Sequence, residues 1–535
     1  MKKWLAVLLC IAVFTASTAL MLPSAGAAEF CDCECVPVIQ MTAGQGALTE
    51  NYGTPEQKSY YGLDMLENMQ RDFVPELANV RKALLTFSPS KILDALINMV
   101  DAWIGPLAMN ADGTSVKDLD RYDFDREETM AKDHRTPYLG YTFPFDWRES
   151  PFETADKLND FVQVIKAHTG HEHVYIESVS GSGSVLIAYL DKYVNGVENP
   201  DALGIVLGIS TAYGTPMIGE FLNSHYTIHP KNLGMMDIIY VAEQVETSTS
   251  DSIITLMNVL YYTGVLDTLI FALSFFPEGG YDRIYEEIVR KTFGHWPGMW
   301  AWCPPEDYAS ARARLIEGHP EYEEYKYLDI IDRYHEFQSS LGDIMQEANK
   351  KIKVAVVTGY NMALVPVGRD YNNTSDTMVP VESASLGATA APYGETLGKN
   401  YKQKIPSAAG RNYVSPDSMI DASTCALPDN TWFIKDLPHH LMYEYGGWFQ
   451  WWKNAPKGQD TVFDSPDFPQ YLRRLKKDQL DTDPVVPVTG DEEVSLADRL
   501  LGFWDTVLGV IRVVMEWITL PLRELMNEYV WSKLV

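Results

Sequence analysis

Residues 173–194, "HVYIESVSGSGSVLIAYLDKYV", pass from a β-branched run straight into a helical pattern through five alternating serines and glycines at 180–184. A flexible connector would be flanked by polar residues, and here both flanks are apolar. A phosphate-cradling loop would end in Gly-Lys-Ser/Thr, which brings an amine to the phosphates, and no lysine stands there. What remains is a strand, a tight turn of tiny residues and a helix. Such a turn holds one serine in a strained backbone conformation, and bulk beside it would collide with the strand and the helix.

The rest of the chain supplies partners for that strand. Apolar runs rich in β-branched residues recur at 36–41 ("VPVIQM"), 173–178 ("HVYIES"), 203–210 ("LGIVLGIS"), 352–360 ("IKVAVVTGY") and 431–437 ("TWFIKDL"). Between the first two, Ala155, Leu158, Phe161, Val162 and Ile165 recur at helical spacing. Strands alternating with helices predict an α/β fold with a mostly parallel central sheet covered on both faces. No internal repeat of fixed period interrupts this pattern.

Of the 535 residues, 46% are hydrophobic and 22% charged, which allows one large domain with insertions and argues against disorder as the main state. With 43 basic against 73 acidic residues and a net charge of −30, nucleic acid is not an expected partner. Residues 1–27 read as a secretory signal: Lys2 and Lys3 precede the apolar stretch 4–22, and Ala25-Gly26-Ala27 suits cleavage. The mature chain is therefore expected to be secreted or at the cell surface. It would keep Cys31, Cys33, Cys35, Cys303 and Cys425. "CDCEC" lacks zinc-knuckle spacing, and a Cys303–Cys425 bridge suits an oxidising compartment without being derivable from spacing.

A long helical, aromatic stretch at 216–351 interrupts the strand pattern and reads as an inserted cap, with the apolar run 253–276 as two of its helices rather than a membrane span. Its aromatic segment "HWPGMWAWCPP" is either ordinary core or an apolar wall for acyl chains. Residues 476–494 are polar and proline-punctuated, and are expected to be a linker after a domain at 28–475. In 495–535, Asp505, Arg512 and Glu516 fall within about 40° of one another on a helical wheel, with most of the rest apolar. Such an amphipathic C-terminal helix packs on a core or lies in a membrane interface.

At the serine-glycine turn the chain resembles the α/β-hydrolase lipases, especially the lecithin:cholesterol acyltransferase-like family and its bacterial relatives. The family's "VNLVGHSMGGSV" aligns without gaps on "VYIESVSGSGSV", which places the nucleophile at Ser180, with Ser178 and Ser182 where glycines usually stand. Phe145-Asp146-Trp147-Arg148 is similar to the family's Tyr-Asp-Trp-Arg segment, and "PVIQMTAGQG" to its first strand and oxyanion loop, which puts Gly44 at the donor position. The resemblance spans about residues 36–440.

It implies an α/β-hydrolase fold and a serine, acid, histidine order along the chain. Asp376 matches the family's acid, with Asp370 and Asp421 as alternatives, and His439 its base, with His440 as the alternative. Ser182 is the alternative nucleophile. The implied chemistry is acyl transfer on carboxylic esters, and lipid esters in particular. Ser180, Asp376 and His439 would be catalytic, the backbone N–H groups of Gly44 and Gly181 would form the oxyanion hole, and no cofactor or metal would be required. The alternatives are an acyltransferase using the same residues, a noncatalytic surface-binding protein on this fold, and a membrane-anchored scaffold. "HEH" at 171–173 lacks a third metal ligand, and Glu177, in a strand expected to be apolar on both faces, has no explanation at this level.

Overall fold

The computed structural model describes residues 36–42, 141–224, 279–324, 326–364, 372–439, 447–475 and 485–489, with parts of 48–60 and 89–119. Eight segments form one sheet: β1 (Val38–Thr42), β2 (Tyr141–Phe143), β3 (Val174–Val179), β4 (Ala202–Gly208), β5 (Lys353–Tyr360), β6 (Thr431–Lys435), β7 (Tyr471–Arg474) and β8 (Val485–Pro487). Their order is β8-β7-β6-β5-β4-β3-β1-β2. Every neighbouring pair is parallel except β7 with β8. The five expected strands are all present, with bounds shifted by one or two residues.

Strand alternation sorts the core into two faces. Ile39, Met41, Val174, Ile176, Ile205, Leu207, Val354 and Val356 join one cluster. Val38, Tyr175, Val179, Val206, Ala355 and Val357 join the other. Both faces are buried, so these strands read as continuous apolar runs.

Helices cover the two faces. Helix α1 (Pro151–Thr169) buries Ala155, Leu158, Phe161, Val162 and Ile165, and stops where Gly170, at φ 72°, returns its N–H to the Lys166 carbonyl at 2.9 Å. Helix α2 (Gly183–Tyr189), which follows the serine-glycine turn, is buried along its whole length. Helix α6 (Leu341–Lys351) places Leu341, Ile344, Met345 and Ala348 on the same face. Helix α7 (Trp448–Asn454) covers the opposite face with Trp448, Phe449 and Trp452. The architecture is α/β, a mostly parallel sheet between helices.

Between β4 and β5 the described residues form only helices and turns, including α3 (Pro216–Leu222), α4 (Pro305–Ile316) and α5 (Lys326–Gln338). Trp296, Trp300, Trp302, Tyr308 and Tyr334 of this insertion belong to the main core, so these five aromatic side chains are interior packing. The run 253–276 lies outside the described residues, as do the expected signal, Cys31, Cys33 and Cys35, and the C-terminal helix. Among the described residues no helix is long and apolar enough to cross a membrane.

Two expectations are corrected. The segment 476–494 is not simply a linker, because β8 within it pairs with Leu472, Arg473 and Arg474 of β7. β8 is the edge strand of the sheet, where proline is tolerated. Cys303 and Cys425 are both buried, and no disulfide joins them to each other.

Candidate active site

The first residue after each of four adjacent central strands has a left-handed backbone without being glycine. These are Ser180 after β3 (φ 56°), Ile209 after β4 (45°), Asn361 after β5 (70°) and Asp436 after β6 (61°). Asn and Asp tolerate that region, whereas a β-branched Ile there is strained. Four such residues in a row along one sheet edge make it the candidate site, since in α/β proteins ligands gather at the carboxyl ends of the strands.

Ser180 opens the turn between β3 and α2. Its Oγ lies 2.7 Å from His439 Nε2, and His439 Nδ1 lies 2.8 Å from Asp376 Oδ2. The histidine and aspartate are buried, at 2% and 0% exposure. Asp376 comes from the loop after β5 and His439 from the loop after β6. A second bond ties those loops, from the His439 backbone N–H to the Asp376 carbonyl at 2.7 Å. Asp376 Oδ1 accepts the N–H groups of Met378 (2.8 Å) and Val379 (2.7 Å), which leaves Oδ2 for the imidazole. With Nδ1–H donating to Asp376, Nε2 is free to accept the serine proton.

The alternative residues are engaged elsewhere or lie outside the described residues. Asp421 accepts from Tyr401 Oη and from the Lys404 and Ser423 N–H groups. Asp370, His440 and Gly44 are outside the described residues. Ser182 is fully buried: its Oγ accepts the Val179 N–H at 2.9 Å and sits 2.7 Å from the Val179 carbonyl, 3.0 Å from the Met41 carbonyl and 3.0 Å from Ser178 Oγ. It holds the turn against β1.

The steric requirement also falls on other positions than the sequence pattern suggests. A Cβ on Gly181 would lie 2.3 Å from the Trp302 ring, and one on Gly183 would lie 2.0 Å from Ser210 Oγ. Serines are accommodated at 178 and 182 because their hydroxyls bond each other and the backbone. Ser182→Ala leaves the Val179 N–H, the Met41 carbonyl and Ser178 short of a partner, and is expected to lower stability by about 1–3 kcal/mol in urea melts. An unchanged midpoint would remove this role.

Trp302 also fixes the residue after Ser180. Its Nε1 donates to the Gly181 carbonyl at 3.2 Å, and its ring stacks 6.0 Å from Trp147, which meets Trp296 edge-to-face at 5.0 Å. Trp147 is held in turn by its neighbours in sequence. Arg148, fully buried, grips Asp146 through Nε–Oδ1 (2.8 Å) and Nη2–Oδ2 (2.6 Å) and donates Nη1–H to the Leu107 carbonyl (2.6 Å). Gly359 of β5 is required for a similar reason: a Cβ there would lie 2.3 Å from the Leu437 carbonyl and 2.9 Å from Asp376 Cβ. Sequence reasoning missed Gly359 and Trp302, because their partners are remote in the chain.

Glu177 is on β3, directly opposite Gln40 of β1, and is 3% exposed. Gln40 Nε2 donates to its Oε2 at 3.2 Å, but burial outweighs that bond and pushes the carboxyl up to about 8. At neutral pH it is a protonated acid, which makes its place in a central strand tolerable.

Comparison with known proteins finds no matching family model, no matching curated protein and no matching solved structure.

Proposed function

We propose that this protein is a serine hydrolase of carboxylic esters, built on an α/β-hydrolase fold with the insertion between β4 and β5 as its cap. The observation that carries the reading is the continuous chain Ser180 Oγ, His439, Asp376, with contacts of 2.7 and 2.8 Å, on a serine whose backbone is left-handed. Nucleophile, base and orienting acid follow in the order serine, aspartate, histidine, and each lies just beyond the carboxyl end of a strand.

Ser180 Oγ attacks the ester carbonyl carbon while His439 Nε2 takes its proton. Asp376 holds the imidazole tautomer and balances the imidazolium charge. The carbonyl oxygen becomes an oxyanion, to which the Gly181 N–H and, by resemblance, that of Gly44 donate; one such donor contributes about 3 kcal/mol. The carbon–oxygen bond to the alcohol then breaks, and the leaving oxygen receives the proton from His439. Water, deprotonated by His439, attacks the acyl-enzyme, releases the carboxylic acid and returns the proton to Ser180. An alcohol in place of water would make the product a transferred acyl chain.

The resemblance favours lipid esters, and the amphipathic pattern of 495–535 would bring the enzyme to a membrane surface after export directed by 1–27. A fluorophosphonate probe tests the reading on the full chain. The expected result is one stoichiometric adduct that peptide mapping assigns to Ser180. A folded chain that stays unlabelled, or an adduct on Ser182, overturns it.

A further inference from the structure

The acid of the proposed relay sits on a strained turn. Thr377, the residue after Asp376, has φ 91°, a left-handed backbone that a β-branched side chain disfavours. The turn nevertheless delivers the Met378 and Val379 N–H groups to Asp376 Oδ1, and so leaves Oδ2 to His439. Ser375 Oγ supports it from within by accepting the Thr377 N–H at 3.0 Å. Further support comes from a residue 163 positions earlier, in the loop between β4 and α3: Thr215, 2% exposed, donates its hydroxyl to the Met378 carbonyl at 2.9 Å. The Met378 carbonyl and the Val379 N–H belong to one planar peptide, so gripping the first sets the direction of the second.

Two observations show that the Thr215 hydroxyl is committed to this contact. Thr215 stands immediately before α3, where a threonine hydroxyl ordinarily accepts an N–H of the first helical turn. Its side chain makes no such bond. The main chain that carries it is also tied on both sides. Thr215 N–H donates to the Trp302 carbonyl at 2.9 Å, and the Thr215 carbonyl accepts the Ile218 N–H at 3.0 Å. The preceding Gly214, at φ 96°, lies so close to the insertion that a Cβ there would come within 2.5 Å of Pro304 Cα. The hydroxyl is therefore offered from a fixed mount, the same one that holds Trp302 against the Gly181 carbonyl.

We infer that Thr215 is a positioning residue of the site: by holding the Met378 carbonyl it keeps the Val379 N–H on Asp376 Oδ1 and thereby keeps Oδ2 aimed at His439. The inference rests on the ester-hydrolase reading and adds to it a residue of the insertion that acts only through Asp376. Without the hydroxyl the Met378–Val379 peptide is free to turn, the strained bend relaxes, and the carboxylate loses one of the two bonds that fix its rotation. The imidazole is then oriented less well, while nothing that contacts the ester has changed.

The test measures kcat and KM for 4-nitrophenyl butanoate on the full chain, with Thr215→Val and Thr215→Ser each made alone and Thr215→Val also combined with Asp376→Asn. Thr215→Val, nearly the same shape without the hydroxyl, is expected to lower kcat by about tenfold or more with KM unchanged. Thr215→Ser keeps the donor and should stay within about threefold of the wild type, a rescue that a packing role for the threonine methyl would not produce. On the Asp376→Asn background the valine substitution should change kcat by less than about twofold, because the group it acts through has gone. A purely structural role would instead cost the same factor on both backgrounds. Thr215→Ala replaces the valine variant in each arm if circular dichroism shows that the latter does not fold. A hydroxyl-free variant with wild-type kcat, a serine variant as impaired as the hydroxyl-free one, or equal losses on the two backgrounds overturns the inference while the hydrolase reading stands. Fluorophosphonate labelling of the wild-type chain separates the two: without an adduct the hydrolase reading fails, and this inference with it.

Discussion

Asp376→Asn is expected to lower ester turnover by on the order of 10^4-fold while leaving the fold and substrate binding close to wild type. The carboxylate has two separate tasks. Oδ1 accepts the Met378 and Val379 N–H groups, and Oδ2 accepts His439 Nδ1–H. An asparagine keeps one acceptor oxygen, which the two backbone donors claim, and turns an NH2 toward the imidazole. His439 then carries its proton on Nε2, the nitrogen that should receive the serine proton, so the base is lost without a change of shape. The check is kcat and KM on a chromogenic ester, with circular dichroism as the fold control. A fall of less than tenfold would detach Asp376 from the chemistry and end the proposed relay.

Glu177→Gln should make the protein more stable, and increasingly so as pH rises. In the fold the carboxyl titrates at about 8 instead of the usual 4.5, because burial disfavours its charged form. Below the unfolded value both states hold the proton and the group costs nothing. As pH rises from there toward the folded value, unfolding releases a proton. The stability present at low pH is therefore lost progressively, at about 1.4 kcal/mol per pH unit, until pH passes the folded value. Glutamine is neutral throughout and its carbonyl still accepts from Gln40. Variant and wild type should have similar urea midpoints at pH 4.5 and differ by about 3 kcal/mol at pH 7. A gap of equal size at both pH values would show that Glu177 is not buried as a neutral acid.

The parallel sheet was readable in the chain because its strands are buried on both faces, which demands uninterrupted apolar β-branched runs such as 203–210 and 352–360. Helix α1 was readable because only one of its faces is buried, which leaves a helical spacing of apolar residues. Ser180 was readable for a local reason as well: a strand that turns at once into a helix through tiny residues leaves few conformations for the residue at the bend.

Other features depend on atoms that meet only after folding. Ser178 and Ser182 looked like defects in a glycine frame until their hydroxyls were seen to bond each other, Val179 and Met41. The crowding of Gly181, Gly183 and Gly359, where a Cβ would collide, is set by Trp302, Ser210 and Leu437, whose distances along the chain carry no local pattern. Residues 485–487, within the proline-punctuated 476–494, read as linker by composition and become strand only because β7 offers them an open edge. Glu177 violates the strand pattern in sequence and is reconciled only by a protonated state that burial imposes. Periodicity and turn chemistry are properties of neighbours in sequence, so they fix elements and the strained serine at the bend after β3. Steric fit, the pairing of buried polar groups and carboxyl protonation are properties of neighbours in space, so the tertiary structure alone decides them.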